Sequence, residues 1–425
     1  MPDTSRIDQL VTLNPRQAES ASKMTAPLST PGPTVGVVGG GQLGRMLGEA
    51  AGPLGIEVVV LDPTPDCPAS PVVKDQIVGG FDDEESVREL AERADFLTFE
   101  IELADPDLLE RVESDFDVPV HPSPETLRMI QDKLGQKDTL ADAGIPVPEY
   151  RAVDDAAELR DALDEFGTPA MVKAREGGYD GRGNAPIESP DEAEAVLDSV
   201  GGSAMVEEFV EFERELSVIG VKGEDSIATF TTGENVHREE ILRETVVPAR
   251  ASEDVLEQAR SVARDVLDLM DGRGVYGIEL FETSEQGVGS EASSGEGVQD
   301  GDILVNEIAP RPHNSGHWTI EGAVASQFEQ HVRAVTGRPL GSTEQRDPTV
   351  MTNILGDVEE TQPAELRGLD EVLSTPRAAL HWYGKRDVRP LRKMGHITLT
   401  GPDEDFDTLL ERARGLRDTL TFTDD

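Results

Sequence analysis

The 425-residue sequence contains one cysteine, Cys67, 4% aromatic residues, and 38 basic against 85 acidic side chains. A lone cysteine excludes an intrachain disulfide and fits a reducing compartment. The deficit of positive charge leaves a formal net charge of −47. A polyanion of that size is repelled by nucleic acids and by anionic membranes, so a general binder of either is excluded. No apolar run approaches the roughly 20 residues of a membrane span. The first 33 residues lack the apolar core of a secretory signal. Together these absences predict a soluble cytoplasmic protein. Lysine is the scarcest charge of all, confined to Lys23, Lys74, Lys133, Lys137, Lys173, Lys222, Lys385 and Lys393. An acidic surface nearly stripped of lysine fits a cytoplasm of molar salt, where the Debye length shrinks to about 3 Å. Each remaining lysine is therefore informative.

At roughly 100–200 residues per domain, the length predicts two or three domains. Residues 1–33 are polar, hold Pro15, Pro27, Pro31 and Pro33, and read as a disordered leader. A βαβ pattern follows: the strand 35–38, a glycine turn, a helix to about Gly52 and a strand from Ile56 to Leu61. A helix over Glu84–Arg93 and the apolar run 96–99 continue the alternation, which predicts a parallel doubly wound sheet. A single helix is expected from about Ser123 to Gly144. Beyond residue 150 strands are expected at 170–173, 204–210, 215–221, 227–230, 274–281 and 303–308, with helices over 154–166, 190–200 and 252–269. The Gly-, Ser- and acid-rich stretch Glu282–Asp302 reads as a flexible insertion at a hairpin tip. After Pro339 come short strands and a last helix, Glu404–Leu416.

Four motifs carry chemistry. Gly39-Gly40-Gly41-Gln42-Leu43-Gly44 follows a strand, opens a helix and satisfies G-x-G-x-x-G, with Asp62 ending the next strand. By itself this turn fits a dinucleotide enzyme whose helix N-terminus holds a phosphate, or a phosphate-bearing substrate, or a tight turn without a ligand. Secondly, Lys173 on a strand precedes Gly177-Gly178-Tyr179-Asp180-Gly181-Arg182-Gly183-Asn184. Glycines at that density let backbone N–H groups approach a polyphosphate, and the spacing is not that of a Walker P-loop. Thirdly, Glu279 and Glu307 lie inside two apolar strands, where a carboxylate is costly unless a cation balances it. Hard oxygen ligands of this kind suit Mg²⁺ held together with substrate phosphates. The donor-rich Arg311, His313, Asn314, Ser315 and His317 follow directly. Finally, residues 381–396 form a basic island with two of the eight lysines, Lys385 and Lys393, which marks an anionic ligand.

On these motifs, GGGQLGRM (39–46), GGYDGRGN (177–184), NEIAPRPHNSGHWT (306–319) and HWYGKRDVRPLRKMGH (381–396), the sequence resembles the ATP-grasp enzymes. Within them it is similar to the N5-carboxyaminoimidazole ribonucleotide synthases, ATP-dependent carboxylases of purine biosynthesis, from about Val35 to Leu399. The resemblance implies an α/β and α+β multidomain fold. Its parts are a Rossmann-like domain over 34–128, an ATP-grasp domain with a lid over 129–338, interrupted at 282–302, and a small domain over 339–425. It implies ATP binding by Lys133, Lys173, Gly178, Tyr179, Asp180, Gly181, Arg182, Gly183, Asn184, Glu207, Glu208, Phe209, Val210, Glu215, His237, Asn306 and Glu307. Glu279 and Glu307 correspond to ligands of Mg²⁺. Gln42, Leu43, Glu100, Tyr179, Arg182, Arg311, His313, Asn314, Ser315, Lys385 and Arg392 correspond to the site of aminoimidazole ribonucleotide and carboxyphosphate, with Asp180, Arg311 and Lys385 in catalytic roles. Bicarbonate is the implied co-substrate, and a homodimer the implied assembly. The leader, the 282–302 insertion and Ala309 depart from the pattern; in many ATP-grasp enzymes the last is an asparagine ligand. Two other readings stay open. One is another ATP-grasp ribotide ligase, such as a formate-dependent glycinamide ribonucleotide transformylase. The other is a nicotinamide-dependent oxidoreductase using the first glycine turn.

Overall fold

A computed structural model describes residues 28–177, 183–284, 301–402 and 404–423. Strands β1 (Thr34–Val38), β2 (Glu57–Leu61), β3 (Asp75–Ile77) and β4 (Phe96–Phe99) form a parallel sheet in the order β3-β2-β1-β4. Its central strands read as valine runs because both faces are covered. Val38, Val59 and Leu61 pack with the helices Glu84–Glu92 and Pro106–Phe116. Val35, Val37, Val58 and Val60 pack with the helix Gln42–Ala51 and with Phe328, Val332 and Tyr383, so later segments of the chain complete this core.

The helix expected over 123–144 is two helices, Pro124–Gln131 and Lys133–Asp142. Asp132 breaks it with extended backbone, caps the second helix through Leu134 N–H and pairs with Arg175. A side chain that caps a helix start cannot also sit in a helix interior. Next comes an antiparallel sheet of β5 (Tyr150–Val153), β6 (Ala170–Ala174), β7 (Asn184–Ile187) and β8 (Ala204–Glu208), in the order β5-β8-β6-β7. Its alternation is strict. Ala170, Val172, Ala204 and Val206 pack on the helices Ala156–Phe166 and Ala193–Val200, which sends Met171, Lys173 and Glu207 to the opposite face.

A nine-stranded antiparallel sheet holds the rest together. Its strands are β9 (Phe212–Lys222), β10 (Ile227–Thr229), β11 (Gly233–Arg238), β12 (Ile241–Val247), β13 (Gly274–Thr283), β14 (Ile303–Ala309) and β15 (Thr349–Leu355), completed by β17 and β19. A separate short pair joins β16 (Gln362–Pro363) to β18 (Asp387–Val388), while β17 is Ala378–Trp382 and β19 is Lys393–Thr400. The order β14-β13-β9-β11-β12-β15-β19-β17, with β10 on β9, runs without interruption across residue 338. The C-terminal segment thus extends the central sheet through the β12–β15 pairing. Two of the nine, β11 and β12, were not anticipated from sequence, nor was the helix Gln327–Val335. The expected insertion begins too early: Glu282 and Thr283 belong to β13, and Glu282 binds Arg214 at 2.8 Å. Residues 285–300 lie outside the described residues, as does all but the end of the expected leader.

Candidate active site

Three compartments form one channel. A nucleotide-sized cleft of about 330 Å³ lies between the β5–β8 sheet and the large sheet. It is lined by Lys173, Asn184, Glu207, Glu208, Phe209, Val210, Glu215, His237, Glu279, Asn306 and Glu307. A narrow throat of about 130 Å³ shares His237, Glu240, Glu279 and Glu307 with it and adds Lys133. The throat opens into a basin of about 630 Å³ lined by Gln42, Leu43, Glu100, Arg311, His313, Asn314, Lys385, Arg389, Arg392 and Lys393. Glu240 lines all three. It occupies the two-residue turn between β11 and β12, where both Glu239 (φ 53°) and Glu240 (φ 59°) take left-handed backbone that favours Asn or Gly.

Among the described residues, the structure brings together most of those predicted from sequence. Gly178, Tyr179, Asp180, Gly181 and Arg182 lie outside them. Gly183 is described, with φ +84°, and its carbonyl accepts the Ala174 N–H at 2.7 Å. Ser315 does not reach the channel. It is fully buried, and its hydroxyl meets His313 Nδ1 at 2.9 Å from beneath. Asn314 turns its amide to Asn353 in a reciprocal pair at 2.7 and 3.1 Å.

In the cleft, Lys173 and Lys137 grip one carboxylate, Glu207, at 2.5 and 2.9 Å. Lys137, on the helix that Lys133 begins, is 2% exposed and also donates to the Val305 carbonyl at 2.9 Å. Desolvation pushes the Glu207 carboxyl up, but the two ammonium groups outweigh it and hold the pKa at about 2. Burial lowers Lys137 to about 8 despite Glu207. Sequence reasoning missed Lys137 as a site residue; its place one turn after Lys133, in so lysine-poor a chain, was the available signal. The helix break at Asp132 puts Lys133 at a helix start, with its Nζ 3.3 Å from Glu307.

Glu279 and Glu307 face each other directly across β13 and β14. The register shifts between Glu279 and Leu280, because Leu280 pairs with Val305 and Asn306 is left over. Such a bulge lets two successive residues serve one face: Asn306 takes the Lys173 ammonium at 3.2 Å while Glu307 takes Lys133. Burial and the neighbouring Glu307 raise the Glu279 pKa. For Glu307, desolvation is outweighed by Lys133 and Lys173, and its pKa falls. His313 Nε2 stands 3.6 Å from Glu279, and His237 Nδ1 binds Glu215 at 2.7 Å. Burial would lower the His237 pKa, yet Glu215 and Glu279 raise it. Among the described residues no cluster of three or more acidic, His or Cys side chains is arranged to hold a metal unaided. Two carboxylates beside an amide suit an ion that takes its remaining ligands from phosphates and water.

The first glycine turn departs from the dinucleotide reading. Glu100, just beyond β4, places its carboxylate on the helix start and accepts the N–H groups of Gly41, Leu43 (3.1 Å) and Gly44 (3.1 Å). These are the donors a cofactor phosphate would need. A Cβ on Gly39 or Gly41 would lie 2.5 Å from Glu100 Cγ or 2.8 Å from its Oε1, so those glycines make room for the carboxylate. Asp62 accepts from Gly40 N–H (3.0 Å) and Thr64 N–H (2.8 Å), which braces the turn instead of offering a ribose ligand. Burial raises the Glu100 pKa to about 7 against the opposing backbone bonds. In the basin, Lys385 donates to Gln42 Oε1 at 2.9 Å, and Arg311 pairs with Glu102 at 2.8 Å. Arg392 donates to the Asp387 carbonyl at 2.7 Å.

A cleft between two antiparallel sheets, with paired lysines on one side and paired carboxylates on the other, defines an ATP-grasp enzyme. The ATP-grasp domain family matches residues 138–328, the ribonucleotide synthetase preATP-grasp domain 33–131 and the phosphoribosylaminoimidazole carboxylase C-terminal domain 349–406. The chain is 40% identical to N5-carboxyaminoimidazole ribonucleotide synthase of Brucella melitensis over 88% of its own length and 97% of the relative's. It is 37% identical to the Bacillus subtilis enzyme of the same name, over 90% and 95%. The Thermotoga maritima synthetase structure superposes with a TM-score of 0.80 at 40% identity, covering 92% of this chain and all of that one. An Aspergillus clavatus synthase solved with ADP and 5-aminoimidazole ribonucleotide gives 0.79 at 36% identity, covering 91% and 98%. The chain belongs to the N5-carboxyaminoimidazole ribonucleotide synthase family. Among the described residues, no helix is long and apolar enough to cross a membrane.

Proposed function

We propose that this protein carboxylates the exocyclic amine of 5-aminoimidazole ribonucleotide with bicarbonate and ATP, releasing ADP and phosphate. The observation that carries this reading is the continuity of the channel. A nucleotide cleft joins, past a carboxylate pair, a basin lined by five basic side chains, Arg311, Lys385, Arg389, Arg392 and Lys393, in a chain of net charge −47. A bicarbonate oxygen attacks the γ-phosphorus, ADP leaves, and the carboxyphosphate formed breaks down to CO₂ and phosphate. The amine nitrogen then attacks the CO₂ carbon and gives up a proton. Lys133 and Lys173 neutralise the ATP phosphates, and residues 207–210 with Glu215 border the rest of the nucleotide. Glu279 and Glu307, with Asn306 beside them, would hold Mg²⁺, which when bound offsets phosphate charge. Arg311, Lys385 and Arg392 hold the carboxyphosphate and ribotide phosphate, Arg311 where the throat meets the basin and the other two within the basin. Asp180 is assigned the proton of the amine on family resemblance alone.

The same resemblance supports a homodimer. Composition supports a cytoplasm of high salt. Incubation with the ribotide, MgATP and labelled bicarbonate tests the reading. It expects one labelled carboxyamino product per ADP, and ADP release that ignores bicarbonate or prefers glycinamide ribonucleotide with formate would reject it.

A further inference from the structure

The seven histidines are not spread evenly: His381 stacks on His396, and the tilted ring of His317 packs on the same His396. His317 and His396 are fully buried, as are Gln327 and, at 1% exposure, Tyr383. Polar side chains this deep are costly unless they bond to something; here hydrogen bonds at the two ends are joined by ring contacts, and His317 Nε2 and His396 Nε2 are left without a hydrogen-bond partner among the described residues. Gln327 clamps the His313 backbone at both ends, accepting its N–H at 2.9 Å and donating to its carbonyl at 2.8 Å. The same amide nitrogen meets His317 Nδ1 at 3.1 Å. Since an amide nitrogen only donates, His317 Nδ1 is the acceptor and its proton sits on Nε2. The His317 ring lies 4.9 Å from that of His396, whose Nδ1 meets the Tyr383 hydroxyl at 2.9 Å. The Tyr383 ring in turn lies 5.5 Å beneath the Lys385 ammonium. At one end of this line is the residue whose Nε2 approaches Glu279; at the other is the lysine that bridges to Gln42.

We propose that Gln327, His317, His396 and Tyr383 are positioning residues, a buried polar chain that fixes Lys385 relative to His313. It thereby sets the distance between the phosphoryl-transfer end of the channel and the ribotide end. The proposal rests on the reading of the channel given above. Purely apolar packing would fill the same space without ordering either end, and the stack joins two segments, 313–327 and 381–396, that both line the channel wall. His381 closes the arrangement: it stacks on His396 at 4.5 Å and binds Glu321 at 2.8 Å.

The test uses the full-length protein with Tyr383→Phe, which keeps the ring under Lys385, and Gln327→Met, which keeps the volume of the amide. Each variant should raise the KM for the ribotide about fivefold or more while the KM for ATP stays within twofold. The double variant should lose no more than the worse single, because the groups act as one unit. A second readout needs no substrate: the acylation rate of Lys385, followed by mass spectrometry against exposed Lys74 as internal standard. Gln327→Met should raise the Lys385 rate several-fold with Lys74 unchanged. Folded variants with wild-type ribotide KM and wild-type Lys385 reactivity would overturn the proposal, as would additive losses shared equally by both substrates. If the unmodified protein ignores the ribotide, the functional reading fails, and the acylation arm still decides the positioning claim.

Discussion

The Lys137–Glu207–Lys173 cluster makes an unequal pair of expectations. One carboxylate lies between two ammonium groups, at 2.9 and 2.5 Å, with Glu207 3% and Lys137 2% exposed. Unit charges 4 Å apart interact by roughly 4 kcal/mol at an effective dielectric near 20, and both contacts are closer than that. Glu207→Gln removes the carboxylate that both lysines contact and leaves them facing each other, with Glu307 acting on both from further off. Losing one partner of a buried ion pair costs about 3–5 kcal/mol. Relief comes from deprotonating Lys137, whose pKa already stands at about 8, so the cost should shrink as the pH is raised to 9. Lys137→Met instead leaves one lysine with one glutamate. It forfeits the bonds to Glu207 and to the Val305 carbonyl, about 1–3 kcal/mol. The comparison is made by urea unfolding at fixed molar KCl and pH 7, reading midpoint and slope together. Glu207→Gln should be the less stable variant by about 2 kcal/mol. If Lys137→Met proves equally or more destabilising, charge balance does not govern this cluster.

Glu307→Gln should remove most ATP turnover with the fold intact, because a neutral amide binds Mg²⁺ poorly; near-normal turnover at saturating Mg²⁺ would reject the ligand assignment. Stability and activity should both rise from about 50 mM to 3 M KCl as the charge of −47 is screened, and equal thermal midpoints at both salts would reject the halophilic reading. Acid should destabilise the protein below pH 6.5. Burial holds His317 and His396 far below the ordinary imidazole value, His331 at about 3 and His121 at about 4, so near pH 5 these four take up protons only when unfolded. Glu100, raised to about 7, works against them by taking its proton in the native state, which leaves a net of three protons and a slope of about 4 kcal/mol per pH unit. A flat unfolding free energy between pH 7 and 5 would refute the accounting.

Periodicity made the parallel sheet and most helices legible, because valine runs and acid-capped amphipathic segments state their burial locally. The carboxylate pair was legible for the same reason: a glutamate inside an apolar strand needs a partner, and Glu279 and Glu307 turned out to face each other. What sequence could not supply is register. The bulge that leaves Asn306 unpaired in the ladder, and so turns Asn306 and Glu307 to one face, follows from the geometry of two strands joined by a 19-residue connection. The single sheet running from β14 to β17 depends on the β12–β15 pairing, more than a hundred residues apart, which no local pattern announces. Ser315 illustrates the reverse error. A hydroxyl in a donor-rich run looks like a ligand group, but its neighbour His313 takes it as a buried support.

The glycine turn at 39–44 shows why a motif fixes a shape before it fixes a ligand. Close backbone approach and a helix start create an anion site, and the physics does not say whether the anion comes from solution or from the chain. Here Glu100, 59 residues after Gly41, supplies it. An internal carboxyl group on those N–H groups means that a phosphate can lie beside the turn but not in it, since the three donors and the space in front of them are already taken. The helix start therefore faces the basin with its positive end already matched. Recognition of an anionic substrate passes to side chains that come from far along the chain, Arg311, Lys385 and Arg392. Lys385, bonded across the basin to Gln42 Oε1, is where the first and last thirds of the sequence meet. A basin assembled that way exists only when the whole chain has folded, and so the turn that looked most diagnostic in the sequence is the part least able to select the substrate.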